Sequence, residues 1–404
     1  MLQTDRQPVL QQIMQSILDE AITDTTGTVW LQSEDDALPE IGLIGCDVYT
    51  GMAGMAFIFA GSFRLSRRPT ERIIAVDCMS YALDHADDIL PDHRRGFYNG
   101  WAGLIYMAVY VGEVTENAIL LSRADALLDR LIAEPVSEEM DLMTGAAGTV
   151  LGMALVQLSL GAKALSAART AADIILDGAR TMSQEDAIAW NTIGELPLTG
   201  LSHGNAGIIL ALCELYALTR EDRLREAAKR ALGYERAYFD AEAGNWLDLR
   251  HHSSAASLEW IPPSAEVAWC HGAGGIALSR LRAYEVTGDP EYLADLRIAA
   301  RTLYQNVAET EFEGAWPSCL CHGLIGNLEI LLTLRQRMGA VPFTLSEREL
   351  HAEGLNHWDT SIIRMAEDPS LMLGMGGIAH YLMRRQDPSV PSILLPRRIG
   401  EAVG

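Results

Sequence analysis

Residues 321–334 read CHGLIGNLEILLTL: a cysteine–histidine pair, two glycines three positions apart, then an apolar run. One such string in a chain with 35 glycines carries no weight, but this one has six sisters. Gly51/Gly54 precede MAFIFA, Gly100/Gly103 precede LIYMAVYV, and Gly145/Gly148 precede TVLGMALV. Gly204/Gly207 precede IILALCEL, Gly272/Gly275 precede IALSRL, Gly323/Gly326 precede NLEILLTL, and Gly374/Gly377 precede IAHYLM. A motif that returns every 45 to 70 residues or so is the mark of stacked supersecondary units.

Between the glycine pairs lie stretches such as NAILLSRADALLDRLIAE (117–134), EDRLREAAKRALGYERAYF (221–239) and PEYLADLRIAARTLYQNV (290–307). Their apolar residues fall at i, i+3, i+4 and i+7, which predicts helices with one face in solvent. The helix after each G-x-x-G is apolar nearly all round and is expected to be buried. Alternation of the two kinds predicts an all-α fold, an α/α toroid of seven inner and seven outer helices forming one domain over residues 1–404. An open solenoid needs polar capping repeats, yet the first and last inner segments, MAFIFA and IAHYLM, are as apolar as the middle ones. Closure into a ring hides them. Glycine at each inner-helix start is expected to permit positive φ in the entering turn and close backbone approach, so that seven helix N-termini converge on one rim.

The repeat serves as its own alignment. The two residues before each glycine pair are Tyr49-Thr50, Tyr98-Asn99, Met143-Thr144, Ser202-His203, Cys270-His271, Cys321-His322 and Met372-Leu373. Cys270 and Cys321 share a position in consecutive repeats, which puts them on adjacent loops of the rim. His322 follows Cys321 directly. Two thiolates and an imidazole suit Zn²⁺ and leave a fourth tetrahedral position open, so Cys270, Cys321 and His322 are the expected metal ligands. Cys319 has no counterpart in another repeat and reads as structural; Cys46, Cys78 and Cys213 read as packing residues.

Composition excludes other classes. The formal net charge of -23 argues against binding a phosphate backbone, so no nucleic-acid partner is expected. The N-terminal MLQTDRQPVLQQ lacks the apolar core of a secretory signal, and no apolar run approaches a membrane span; a cytoplasmic location is expected. Six cysteines in 404 residues are too sparse for a disulfide scaffold.

TGLSHGNAGII (199–209), AWCHGAGGIAL (268–278) and LCHGLIGNLEILL (320–332) resemble the signature segments of the lanthionine synthetase C-like cyclases, which form thioether rings in lanthipeptides. The resemblance covers nearly the whole chain and implies the same toroid and a zinc ion on Cys270, Cys321 and His322. It further implies acid/base chemistry at His203, with Asp141 as its partner, during Michael-type addition of a cysteine thiol to dehydroalanine or dehydrobutyrine. His271 stands where stand-alone cyclases often carry Tyr and is a third candidate at the site. Glu266 stands where they often carry an arginine, a reversal of local charge. The stretch PVLQQIMQSILDEAI (8–22) reads as an outer helix that leaves no room for a dehydratase, so the expected partners are a dehydrated precursor peptide and a separate dehydratase. Addition of a small thiol such as glutathione to dehydroamino acids in proteins uses the same ligands, and a non-catalytic zinc-containing scaffold is the third reading.

Overall fold

In the computed structural model, residues 7–23, 27–33, 41–183, 186–194, 196–250, 263–310, 319–337 and 368–401 are described. Each of the seven glycine pairs opens a helix. These are α2 (Met52–Ser66), α4 (Trp101–Thr115), α6 (Ala146–Leu155), α8 (Asn205–Thr219), α10 (Ala273–Thr287), α12 (Leu324–Arg337) and α13 (Met375–Gln386). Each packs on the next, and α13 packs back on α2, so the inner helices close a ring.

Outside them lie α3 (Pro69–Asp84), α5 (Ala118–Ala133), α7 (Gln157–Asp177, broken at Gly161), α9 (Asp222–Ala237) and α11 (Pro290–Glu309). Each follows its inner helix in sequence and packs against it. The N-terminal α1 (Gln7–Asp19) packs against α13, so the start of the chain covers the last inner helix. The arrangement is that of an α/α toroid; the expected count of seven outer helices reaches into residues outside those described. Among the described residues, four two-stranded antiparallel pairs, absent from the expected all-α picture, sit in the connections between helices.

The burial follows the two patterns. Every residue of α6 is buried, whereas α9 buries Leu224, Ala227, Ala228, Ala231 and Leu232 and exposes its charged face. Four inner helices end on a left-handed residue, Arg67, Glu116, Arg220 or Gly288, two positions before the outer helix begins. That repeated turn reverses the chain in the same way each time.

Of the two roles expected for glycine, close approach is the general one. A Cβ on Gly103 would lie 1.6 Å from the Phe97 carbonyl oxygen. Among the glycines that open the inner helices, Gly272 has a positive φ of 76°, while 51, 100, 145, 204 and 374 are extended. The loops pass so near the helix starts that no side chain fits there.

Those loops are tied into a closed belt. Tyr49 N–H donates to Tyr98 O (3.2 Å), Asn99 N–H to Met143 O (3.0 Å), and Leu142 N–H to Ser202 O (3.3 Å). Ser202 N–H then donates to Cys270 O (3.2 Å), Cys270 N–H to Cys321 O (3.4 Å), Cys321 N–H to Met372 O (3.1 Å), and Met372 N–H back to Tyr49 O (3.0 Å). The accepting carbonyls belong to the residue two before each glycine pair. The register read from the sequence is therefore a physical one.

The C-terminal segment fills the ring from the other end. Val390, Ile393, Leu394 and Leu395 are buried. Tyr98 OH donates to Ile393 O (2.9 Å) and Trp269 Nε1–H to Leu394 O (3.2 Å), from loops on different sides of the ring. Glu329 of α12 and Arg384 of α13 form a fully buried ion pair, and Glu329 also accepts from Ser392 Oγ (2.7 Å). Replacing Arg384 with Leu leaves Glu329 buried without its counter-ion and is expected to lower unfolding stability by about 3–5 kcal/mol. Urea unfolding of the variant checks this.

Candidate metal centre and acid/base pair

Cys270 and Cys321 sit side by side on the belt because their carbonyls are consecutive links in it. Their sulfurs and an imidazole nitrogen of His322 lie within 4.8 Å of one another, the one group of potential metal ligands among the described residues. Both cysteines are buried and neither is in a disulfide; His322 is exposed. Cys321 shares a hydrogen bond with Cys270 that holds Cys270 below the ordinary thiol range, with Arg250 also favouring its thiolate. The same hydrogen bond, together with burial, pushes Cys321 well above that range. Two buried sulfurs within 4.8 Å of each other and of an imidazole open to solvent fit a tetrahedral nitrogen–sulfur metal site. Binding there releases the thiol protons.

Cys319 takes a different part. Its buried sulfur accepts the His322 backbone N–H (3.5 Å), which fixes the loop that presents His322. Cys46, Cys78 and Cys213 are buried, and burial pushes the thiols of Cys46 and Cys213 up to about 12.

Asp141 and His203 come from consecutive repeats and meet on the same rim. His203 Nδ1 lies 2.5 Å from Asp141 Oδ2. Asp141 is fully buried, and its other oxygen accepts the Thr144 amide (2.8 Å), the Thr144 hydroxyl (3.1 Å) and the Gly145 amide (3.2 Å). In the first repeat Asp47 makes the same turn, accepting from the Thr50 amide (2.9 Å) and the Gly51 amide (3.2 Å). The turn is thus shared by the first and third repeats; of these two aspartates, Asp141 carries a histidine on its second oxygen. With Nδ1 engaged, His203 Nε2 is the nitrogen left for chemistry. The neighbouring Ser202 amide bonds the Cys270 carbonyl, so His203 is one belt link from the cysteine pair.

His271 is fully buried. Its Nε2 lies 3.3 Å from Ser202 Oγ and its Nδ1 3.7 Å from Asp248 Oδ1. Burial lowers its pKa to about 3, so the ring is neutral. The structure places it under the Cys270 loop rather than on the solvent side of it.

Two residues near the sulfurs were not singled out by sequence. Tyr49, on the first repeat's loop, hydrogen-bonds Cys321; burial and then that sulfur push its phenol far above the ordinary range. Its place in the repeat alignment was visible, but tyrosine alone carries no ligand signal. Arg250 binds Asp248 (2.6 Å) and Glu266 (3.1 Å). The charge reversal read at Glu266 is therefore offset, and a guanidinium still stands beside Cys270. No spacing rule connects Arg250 to the repeat.

Residues 43–395 match the model of the lanthionine synthetase C-like protein family. The chain belongs to that family. It is 26% identical over 199 residues to the lacticin 481/lactococcin biosynthesis protein LcnDR2 of Lactococcus lactis subsp. lactis, covering 46% of this chain and 20% of that one. The chain thus spans about a fifth of that larger relative. It is 23% identical over 363 residues to the glutathione S-transferase LANCL1 of Danio rerio, covering 85% and 83% of the two chains. The solved structure of nisin cyclase superposes with a TM-score of 0.63 at 14% identity, over 95% of this chain and 94% of that one, a likeness of fold. No helix among the described residues is long and apolar enough to cross a membrane.

Proposed function

We propose that this chain is a zinc-dependent lanthipeptide cyclase, adding cysteine thiols of a dehydrated precursor peptide to dehydroalanine or dehydrobutyrine to form lanthionine or methyllanthionine. The observation that carries this is the Asp141–His203 pair one belt link from the Cys270/Cys321/His322 cluster. The complete seven-plus-seven toroid in one domain, a cytoplasmic setting and a separate dehydratase belong to the same reading.

Zinc held by Cys270, Cys321 and His322 would offer an open position to the substrate thiol and favour its ionised form. The side chains supply the rest. His203, oriented through Nδ1 by Asp141, takes the thiol proton on Nε2; after the C–S bond forms at the β-carbon, it returns a proton to the α-carbon of the enolate. Asp141 stabilises the imidazolium between those two transfers. Arg250 favours the Cys270 thiolate against the opposing Glu266, and Tyr49 donates to the Cys321 sulfur. His271, a catalytic candidate from the sequence, is here a positioning residue whose Nε2 meets Ser202 Oγ beneath the Cys270 loop.

Addition of glutathione to dehydroamino acids is the second reading, favoured by the name and coverage of the Danio rerio relative. Incubation of the zinc-loaded protein with a dehydrated, cysteine-containing peptide and glutathione separates them. Cyclisation leaves the peptide mass unchanged while thiols become resistant to alkylation; the alternative adds one glutathione per dehydrated residue. Full alkylation with no mass gain across a panel of precursors would leave only a binding or scaffolding role.

A further inference from the structure

At the end of the ring away from the loop belt, an open cavity of about 300 Å³ lies between the C-terminal ends of α2 and α4 and the tail after Ser389. Three arginines line it, Arg64, Arg397 and Arg398, in a chain whose net charge is -23. Arg398 has carboxylates nearby, with Glu214 at 3.6 Å and Glu401 at 3.9 Å. Arg64 and Arg397 form no ion pair among the described residues. Both turn instead to one serine, Arg64 Nε donating to Ser389 Oγ (3.1 Å) and Arg397 Nη2 to Ser389 O (2.5 Å). Burial, and then the nearby charges of Arg64 and Arg384, hold Arg397 below the ordinary guanidinium range. Glu113 and Glu401 share the lining, so three guanidiniums stand against two carboxylates, and neither carboxylate comes within ion-pair distance of Arg64 or Arg397.

An independent observation concerns Tyr110. It is 6% exposed, it lines the same cavity, and its hydroxyl has no hydrogen-bond partner among the described residues. Burial raises the phenol to about 12 while Arg64 and Arg397 oppose the shift, so it is a protonated donor at neutral pH. An unpartnered buried hydroxyl costs about 1–3 kcal/mol. Two guanidiniums outside any ion pair and an unpartnered phenol donor leave donor capacity in the cavity that its own carboxylates, Glu113 and Glu401, do not take up. Val114, Pro391 and Ile399 add apolar surface to the lining.

We propose that this cavity binds an organic oxyanion whose phosphoryl or carboxylate head is held by Arg64, Arg397 and Tyr110. Guanidinium forks match both heads in bidentate geometry. The site is separate from the metal centre, and the proposal stands whichever thiol reaction that centre performs. Because the tail from Ile393 to Ile399 runs from beneath Tyr98 and Trp269 to this cavity, an anion here would also pin the tail inside the ring.

Calorimetric titration of the full-length protein with pyrophosphate and with citrate, at matched ionic strength, tests this, and the two arms separate phosphoryl from carboxylate preference. At least one is expected to bind and to raise the melting temperature. Arg397→Gln is expected to weaken that binding about tenfold or more. Tyr110→Phe is expected to weaken it about threefold to tenfold while leaving the unliganded protein as stable as before or more so, since it removes the unpartnered hydroxyl. The Tyr110→Phe result keeps the test sound should Arg397→Gln fold poorly. Absence of binding by both anions up to about 10 mM, or equal affinity in wild type and Tyr110→Phe, overturns the proposal.

Discussion

Replacing Cys321 with alanine is expected to strip the protein of zinc. Losing a partner that merely orients a ligand already costs about 10–100-fold in metal affinity, and Cys321 is one of only two sulfurs in the cluster. The variant should fold, because residue 321 joins the loop belt through its amide and carbonyl, which alanine retains. Cys319→Ala is the matched control: an equally buried thiol two positions away, whose sulfur meets the His322 amide and stands outside the ligand group. Elemental analysis of the purified proteins should find about one zinc per chain in wild type and Cys319→Ala, and less than about a tenth of that in Cys321→Ala. Cobalt substitution should give a thiolate-to-metal absorption band in the first two only. Stoichiometric zinc in Cys321→Ala would remove the cluster from the account of function.

The equivalence of Cys270 and Cys321 was legible before any coordinates because the sequence repeats in register with the belt. Tyr49, Tyr98, Met143, Ser202, Cys270, Cys321 and Met372 differ in chemistry, yet each presents its carbonyl to the preceding loop. Glycines mark that register, since no other residue tolerates a carbonyl as near as Phe97 is to Gly103. What escaped the sequence does not repeat. The tail from Val390 to Ile399 is short and lacks helical periodicity, and its burial depends on a ring that exists only once all seven inner helices have closed. Arg250 reaches Glu266 across a connection with no counterpart in other repeats. His271 shows the converse: it shares its repeat position with His203 and His322, yet its side chain turns into the protein while theirs remain partly or fully accessible. Position in a repeat fixes the backbone; the side-chain direction depends on the neighbouring loop.

His203→Ala is expected to slow ring formation about 10²–10⁴-fold, the usual contribution of a positioned acid/base group, with zinc content unchanged. Asp141→Asn is the sharper test. An asparagine can keep the turn, because one oxygen still accepts from the Thr144 and Gly145 amides. Its amide NH₂, however, then faces His203 Nδ1 and makes that nitrogen an acceptor, which moves the ring proton to Nε2 and leaves no base for the substrate thiol. Asp141→Asn should therefore lose nearly as much rate as His203→Ala, and the double variant should be little worse than either, because the two act as one unit. Asp47→Asn makes the same chemical change in the same turn with no histidine on the second oxygen. Initial rates, followed by mass spectrometry of alkylated peptide, should separate the two aspartates by orders of magnitude. If Asp141→Asn and Asp47→Asn behave alike, the contact between Asp141 and His203 is part of the turn's architecture and the proton is moved by another group.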